Sequence, residues 1–301
     1  MGNVEHTKLY DLIDVARPEK VQAEIRHVAG LIAADFDFAL LDRLFADVVR
    51  LYGGEFPGYR SSNTQYHDLE HTHAVALALV RLAHGYGVEE KAISGRDLLI
   101  GICGALFHDT GLIQEEKDRH GSGAKYTIGH EDRSIAFMKK YFLPRHMPAE
   151  AIEDCARLIR CTILRQAVSE LDLRSPEIAL MGKMVGSADL LAQMADRHYL
   201  EKLPLLFKEF EEGGMAGYES ELDLLKRTDE FYLEVARPRL IRELGDVARY
   251  ARAHFRVRWG IDRDLYAESI ARNIDYVKSL RQSCLDRAEC FRQGARRTRD
   301  A

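Results

Sequence analysis

Apolar residues recur at helical spacing along nearly the whole chain, whereas the alternation of apolar and polar residues that is typical of strands is scarce. Val21, Ile25, Val28 and Ile32, for example, would lie on one face of a helix. A helix with such an apolar stripe is stable only when the stripe is buried against another element. The pattern therefore predicts an all-α fold.

Glycine and proline residues divide this pattern into segments. Residues 19–51 are predicted to form one or two helices, which Gly53 and Gly54 bring to an end. The further predicted helices cover residues 67–86, 96–108, 130–142, 148–168, 176–194, 196–211, 219–256 and 264–290. Residues 114–129 are polar and contain glycine, so we expect a loop there, just beyond residues 108 and 109, where a lid or a substrate contact would be placed.

The chain has no internal repeat and no low-complexity linker, so a single helical domain over residues 19–285 is the simplest organisation. Residues 1–18 precede it as an N-terminal segment. Residues 286–301 form a basic C-terminal tail. We interpret the arginines of this tail as a solvated or frayed helix end rather than a nucleic-acid contact.

Composition restricts the partners and the location. The net charge of −5 argues against general nucleic-acid binding. No apolar run is long enough to span a membrane and no signal peptide is visible, so we expect a cytoplasmic protein that does not bind membranes. The five cysteines form no Cys-x-x-Cys pair, and we expect reduced thiols. Amphipathic helices at both ends leave room for a homodimer.

The first group of residues that could carry chemistry lies at the start of the helix predicted over residues 67–86. Residues 66–71 have the sequence Tyr-His-Asp-Leu-Glu-His. His67 and His71 are four residues apart, which places both imidazoles on one face of a predicted helix. Such a pair could bind one metal ion, or one histidine could bind the metal while the other faces the substrate. Taken alone, the pair is more often structural.

Two further groups follow in apolar surroundings. His108 and Asp109 end the apolar run Ala-Leu-Phe, and both can reach one ion only near a helix end or kink, for which Gly111 gives the opportunity. Asp189 lies within an otherwise apolar segment, where a carboxylate needs a partner. Each residue alone favours a structural interpretation, but the ordered set indicates a metal site shared by three helices.

This order of motifs resembles the HD superfamily of metal-dependent phosphohydrolases. The Tyr-His-x-x-x-His form of residues 66–71 is most similar to the branch that contains the cyclic-nucleotide phosphodiesterases, and the later His-Asp pair and Asp189 match that branch as well. The resemblance covers residues 60–215. It implies an HD-domain, phosphodiesterase-like helical bundle with the metal site between helices.

The resemblance also implies roles for individual residues. The first metal would be bound by His71, His108, Asp109 and Asp189, and Asp109 would bridge to a second metal if one is present. His67 would act as the general acid that protonates the leaving alkoxide. One or two divalent cations would be required, and zinc, iron, manganese, cobalt, nickel and magnesium all remain open.

A second histidine motif follows the polar loop. His130 and Glu131 open a predicted helix, and similar His-Glu-x-x-Ser segments occur in bacterial members of the superfamily. They could approach a second metal or its surroundings, or they could simply form a first helical turn in which acidic residues are favoured by the helix dipole.

Three departures from the resembled pattern leave the specificity open. Asp68 replaces the usual asparagine after the first histidine, and Leu112 stands where a second histidine or a lysine is common. No convincing Gln-x-x-Phe motif for clamping a purine is found near the C terminus. Specificity for cyclic AMP or cyclic GMP therefore does not follow.

Three hypotheses follow from these residues. The first is a metal-dependent phosphohydrolase for a small nucleotide-like phosphate ester, with phosphodiesters slightly favoured over phosphomonoesters because of His67. The second is a non-catalytic regulatory module that binds a nucleotide or a protein. The third is a buried polar network without metal. Six basic residues could hold phosphate, although a solvated surface position is more common for each: Lys125, Arg133, Arg160, Arg165, Lys183 and Lys202.

Overall fold

The computed structural model of the chain describes residues 4–284 and 288–295. Within these ranges the regular structure is helical and no strand is present, which confirms the predicted all-α fold. No helix of the described ranges is long and apolar enough to cross a membrane. The division of the chain at residues 18 and 285 stays a prediction. Much of the basic tail, including residues 286, 287 and 296–301, lies outside the described residues.

The α-helices follow one another along the chain, joined by short turns and by longer segments at residues 54–68, 108–129, 161–175 and 232–250. Their bounds are α1 (Leu9–Leu12), α2 (Pro18–Ile32), α3 (Phe38–Gly53), α4 (Leu69–Glu89), α5 (Gly95–Phe107), α6 (His130–Phe142), α7 (Ala149–Arg160), α8 (Pro176–Met194), α9 (Tyr199–Glu212), α10 (Glu221–Lys226), α11 (Thr228–Phe231), α12 (Ala251–Trp259), α13 (Leu265–Cys284) and α14 (Ala288–Ala295).

Helix α4 lies at the centre of the fold. It packs against α2, α5, α8 and α12, and an unbroken run of its residues from Val75 to Gly85 is buried. A helix that is apolar around its whole circumference must be covered on every side. Gly85 permits a close backbone contact with the residue before α12, because a Cβ atom there would lie 1.8 Å from the carbonyl oxygen of Tyr250. The central position of α4 holds His71 between α5 and α8.

Two long predicted helices are shorter in the structure. The helix predicted over residues 148–168 ends at Arg160. The helix predicted over residues 219–256 is divided into α10, α11, two π-helical turns at Tyr232–Ala236 and Arg239–Glu243, and α12. Pro238 lacks the backbone N–H that a regular helix needs there, and Gly245 has a left-handed φ of +68°.

Arg239 joins these two shortened regions. Its side chain is 3% exposed, and its guanidinium donates to Glu243 and to several backbone carbonyls that follow the end of α7. Those carbonyls belong to Cys161, Ile163, Leu164 and Gln166. Carbonyl groups that are shielded from water are costly without a donor, so Arg239 holds this irregular, partly buried segment against the fold.

The structure corrects the prediction that all cysteines are reduced thiols. Cys284 at the end of α13 and Cys290 in α14 form a disulfide. The two helices pack against each other, which brings the Cα atoms of the pair to 5.4 Å. Cys103, Cys155 and Cys161 are free and buried, as the sequence predicts.

Replacing Arg239 with methionine should destabilise the fold strongly. The Arg239→Met variant removes the donor of one buried and three partly buried carbonyls, and we expect a loss of about 3 kcal/mol in the free energy of unfolding. Arg252→Met is the matched control, because Arg252 pairs with Asp262 on the surface and should contribute less than about 1 kcal/mol. Urea denaturation measures both losses. Equal losses would show that Arg239 does not hold the segment after α7.

Candidate metal centre

The N terminus of α4 places His67 and His71 differently from the sequence prediction. Asp68 is the N-cap residue of α4, and its Oδ1 accepts a hydrogen bond of 2.8 Å from the backbone N–H of His71. Its backbone is extended, so α4 begins at Leu69 and His67 lies before the helix. The prediction that the two histidines share one helical face was therefore wrong. His67 reaches the site from a loop instead.

The His-Asp pair lies at a helix end, as its chemistry requires. Helix α5 ends at Phe107, His108 is its C-cap, and Asp109 begins a short 3₁₀ turn. The change of backbone geometry at this point allows both side chains to turn to the same side. Gly111 contributes by close packing, because a Cβ atom there would lie 2.0 Å from the carbonyl oxygen of His130.

His71, His108 and Asp109 form a buried group that could hold a metal ion. One candidate ligand atom from each of the three residues lies within 4.8 Å of the others. Asp109 Oδ2 is 3.1 Å from His108 Nε2 and 3.6 Å from His71 Nε2. All three side chains are at most 7% exposed, so water does not compete freely for these atoms.

Asp189 joins this group from α8. Its Oδ1 lies 3.2 Å from His71 Nε2 and 3.7 Å from His108 Nε2. The side chain is 21% exposed, which makes it the most accessible of the four. The structure thus brings together all four residues that the sequence predicted as ligands. They come from the first turn of α4, the end of α5 and the middle of α8.

The chemistry of this group fits a divalent transition metal. Within the described residues, His108 Nε2 and Asp109 Oδ2 are buried atoms without a well-directed hydrogen bond, which is unusual for buried polar atoms. His108 Nδ1 donates to the carbonyl of Ala105 at 2.8 Å, so the lone pair of neutral His108 is on Nε2. Mixed imidazole and carboxylate ligands suit zinc, iron, manganese, cobalt or nickel.

His130 and Glu131 lie on the opposite side of the Asp109 carboxylate. His130 Nε2 is 3.2 Å from Asp109 Oδ1, and its Nδ1 donates to the carbonyl of Thr127 at 2.8 Å. Glu131 Oε2 is 3.6 Å from the same Nδ1 atom. His130 therefore contacts the group directly, in a position that suits either a second metal or support of Asp109. Its exact role stays a prediction.

Glu209 is the partner of His67, and no sequence motif predicted this role. Glu209 lies on α9 and is 4% exposed. His67 Nδ1 is 2.6 Å from Glu209 Oε2, and the backbone N–H of Tyr66 donates to Oε1 at 2.7 Å. A glutamate in the apolar stretch Leu-Leu-Phe-Lys-Glu-Phe was the available signal, since a buried carboxylate requires a partner.

The charges of the centre are strongly coupled. Burial by itself would lower the pKa of His108, but Asp109 and Asp189 outweigh it and raise that pKa to about 9. The pKa of His130 is shifted in the same way, because burial lowers it and contact with Asp109 raises it to about 9. For Asp109, burial acts to raise the pKa, and His108 and His130 bring it well below its ordinary value. The positive charge of the protonated histidines thus compensates the negative charge of this carboxylate.

A cavity of about 450 Å³ borders the centre. His67, His71, Asp109, His130 and Asp189 all line it, and Thr127, Ile128 and Gly129 form part of its wall. The expected contact of the loop at residues 114–129 with the site is therefore made by the end of that loop.

Comparison with known proteins gives one match. The model of a family described as Npun_R2479-like matches residues 116–247. This segment contains His130, Asp189 and Glu209, begins beyond Asp109 and covers less than half of the chain. No curated protein and no solved structure matches the chain. Membership of the HD superfamily accordingly remains a prediction from the sequence motifs.

Loss of Asp109 should remove bound metal. We expect one or two equivalents of manganese or zinc in the wild-type protein after incubation and little in Asp109→Ala, by elemental analysis of protein without a histidine tag. Asp154→Ala is the matched control, because Asp154 is a fully buried carboxylate that pairs with Arg174 outside the centre. It should unfold more easily and keep its metal. Equal metal contents in the two variants would favour a polar network without metal.

Metal binding should weaken as the pH falls. A cation bound by His108 must displace the proton that carboxylates hold on it, and so must a second cation bound by His130; both protons are bound more fully below pH 9. Each displaced proton should change the affinity about tenfold per pH unit. Without metal, the stability of the fold depends on pH in the opposite direction. The stability that the raised pKa values provide is complete below about pH 6.5 and is lost as the pH rises through 9.

Calorimetric titration with Mn²⁺ and thermal unfolding across this pH range test both directions. An affinity that does not depend on pH would exclude these histidines as the groups that lose protons.

Proposed function

We propose that this protein is a metal-dependent phosphohydrolase that cleaves a nucleotide-like phosphate ester, with phosphodiesters favoured over phosphomonoesters. The proposal rests on the observation that two groups with different chemistry line one cavity. A buried imidazole and carboxylate group that could hold a metal ion borders the cavity. A histidine held by a buried glutamate lines the same cavity.

His71, His108, Asp109 and Asp189 would hold the first metal. A divalent cation bound there would polarise the phosphoryl group and make hydroxide available from water near neutral pH. The chain itself supplies the surroundings for this chemistry. The Ala105 carbonyl orients His108, and His130 contacts the second oxygen of Asp109, so the carboxylate is supported on both sides.

His67 is suited to donate a proton to the leaving oxygen. Burial lowers its pKa, but the hydrogen bond to Glu209 and the charge of Asp109 raise it above the ordinary value. Since Glu209 engages Nδ1, Nε2 is the nitrogen that remains to carry a proton to a ligand in the cavity. When the bond between phosphorus and the leaving oxygen breaks, that proton would neutralise the alkoxide. Glu209 acts here as a positioning residue.

Leu112 favours the second candidate function, a regulatory module that binds a nucleotide or a protein without turnover. Leu112 is 2% exposed and apolar, so it adds no ligand where related patterns have a histidine or a lysine. The two functions differ in turnover. Manganese-loaded protein should hydrolyse at least one member of a panel of cyclic mononucleotides, cyclic dinucleotides, nucleoside monophosphates and bis(p-nitrophenyl) phosphate. Binding without turnover of any member would favour the regulatory module.

The role of His67 can be tested through the leaving group. His67→Ala should lower kcat by about 10²-fold or more for an ester with an alkoxide leaving group, such as a cyclic mononucleotide. The loss should be much smaller for a p-nitrophenyl ester, because p-nitrophenolate leaves without a proton. Glu209→Gln should act in the same direction and should lower the upper pKa of the rate profile.

His120→Ala provides the matched control, because His120 is exposed and lies outside the cavity. Elemental analysis of each variant shows whether the metal is retained. Equal losses for both types of leaving group would exclude His67 as the general acid.

A further inference from the structure

The cavity beside the metal centre has mainly apolar walls. They are contributed by α8, α9, α10, α11 and the segment that follows α9, and include Leu190, Leu203, Leu206, Phe210, Leu224 and Phe231. The ring of Phe210 stacks on that of Tyr218, with an interplanar angle of 13° and 6.1 Å between centroids. An apolar group that enters such a cavity leaves water and gains close contacts.

The threonines of the cavity add little to its polarity. Thr127, Thr162 and Thr228 donate their hydroxyl protons to nearby backbone carbonyls, at 2.6, 2.8 and 3.0 Å. These protons are therefore not available to a ligand. Away from the metal centre, the polar groups that remain for recognition are few, with Gln193 and Arg165 among them.

The positive charge near the cavity is also small. Of the six basic residues that could hold phosphate, Arg165 lines the cavity. Arg133 donates to the carbonyl of Gly111, and Lys125 and Lys202 form ion pairs with neighbouring aspartates at 2.6 and 2.9 Å. Glu131 also borders the cavity and adds negative charge. A chain of phosphates needs several cationic donors, so these surroundings suit one phosphoryl group at the metal centre.

Two large apolar side chains of the cavity are also exposed to solvent. Ile128 is 62% exposed and Leu164 is 41% exposed, and both line the cavity. Leu164 belongs to the segment after α7 whose carbonyls Arg239 binds. The apolar wall thus extends from the interior to the surface, and it is held in place by a buried side chain.

We infer that the substrate carries a single phosphoryl group and a mainly apolar organic group, and that this organic group binds in the cavity next to the metal centre. This inference rests on the proposed phosphohydrolase activity, but it puts an apolar group in the place of the polar nucleoside of a nucleotide-like ester. The apolar wall supports the apolar organic group, because burial of apolar surface is favourable. The low positive charge independently supports a single phosphoryl group.

Diesters that share one leaving group test the inference. Methyl, butyl and hexyl p-nitrophenyl phosphate all release p-nitrophenolate, so their chemistry is matched and only the retained alkyl chain differs. With manganese-loaded protein, kcat/KM should rise roughly fourfold for each methylene that the cavity buries. The p-nitrophenyl ester of thymidine monophosphate has the same leaving group and a polar nucleoside. The hexyl ester should be the better substrate.

A pair of neighbouring leucines on α9 supplies the matched variants. Leu206 lines the cavity, whereas Leu205 is partly buried and lies outside it. Leu206→Asn should reduce the advantage of the hexyl ester over the methyl ester at least threefold, and Leu205→Asn should leave it unchanged. Thermal unfolding checks that both variants fold. The ester series on the wild-type protein tests the inference even if a variant does not fold.

Binding of alkyl phosphates separates failure of the inference from failure of the proposed function. By calorimetry, hexyl phosphate should bind more tightly than methyl phosphate and with a more negative heat-capacity change. Turnover without any dependence on chain length, or a clear preference for the thymidine ester, would overturn the inference and leave the phosphohydrolase in place. Tighter binding of hexyl phosphate without turnover of any ester would support an apolar ligand and overturn the phosphohydrolase. Neither turnover nor chain-length-dependent binding would overturn both.

Discussion

The buried carboxylate of Asp109 is the interaction on which the site depends. A charge that is 3% exposed is costly unless positive groups or a cation surround it. His71 and His108 approach one of its oxygens, and His130 approaches the other. Helices α4, α5 and α6 must therefore keep a fixed spacing around a single side chain. The same requirement makes the centre a potential cation site, because two of its polar atoms lack good partners.

Most residues of the candidate site lie at helix ends rather than on helix faces. Asp109 follows the end of α5, His67 precedes the N-cap of α4, and His130 is the first residue of α6. At a helix end the backbone direction changes over one or two residues, so neighbouring side chains can converge on one point. Asp189 is the exception, because it projects from the middle of α8.

Helix α9 connects His67, the proposed proton donor, with the cavity wall. Glu209 holds His67, while Leu203 and Leu206 of the same helix line the cavity. A substrate that packs against α9 would therefore lie beside the histidine that α9 positions. Arg239 has a comparable role on the other wall, where it holds the segment after α7 through backbone carbonyls. Substrate binding would thus depend on α9 and on Arg239, and proton transfer would depend on α9 as well.

The sequence by itself determined the helical class, most helix positions and the four residues that meet at the centre, because periodicity and isolated polar residues in apolar segments are local signals. Other features depended on the tertiary structure. The cap at Asp68 moved His67 off its predicted helix, and a contact 142 residues along the chain supplied Glu209. The cavity and the Cys284 disulfide were likewise decided by packing. Glu209 and the cavity require distant segments to meet, and spacing along the chain does not encode that distance. The Asp68 cap and the Cys284–Cys290 disulfide join residues that are three and six positions apart, and they depend on where the helices begin and end.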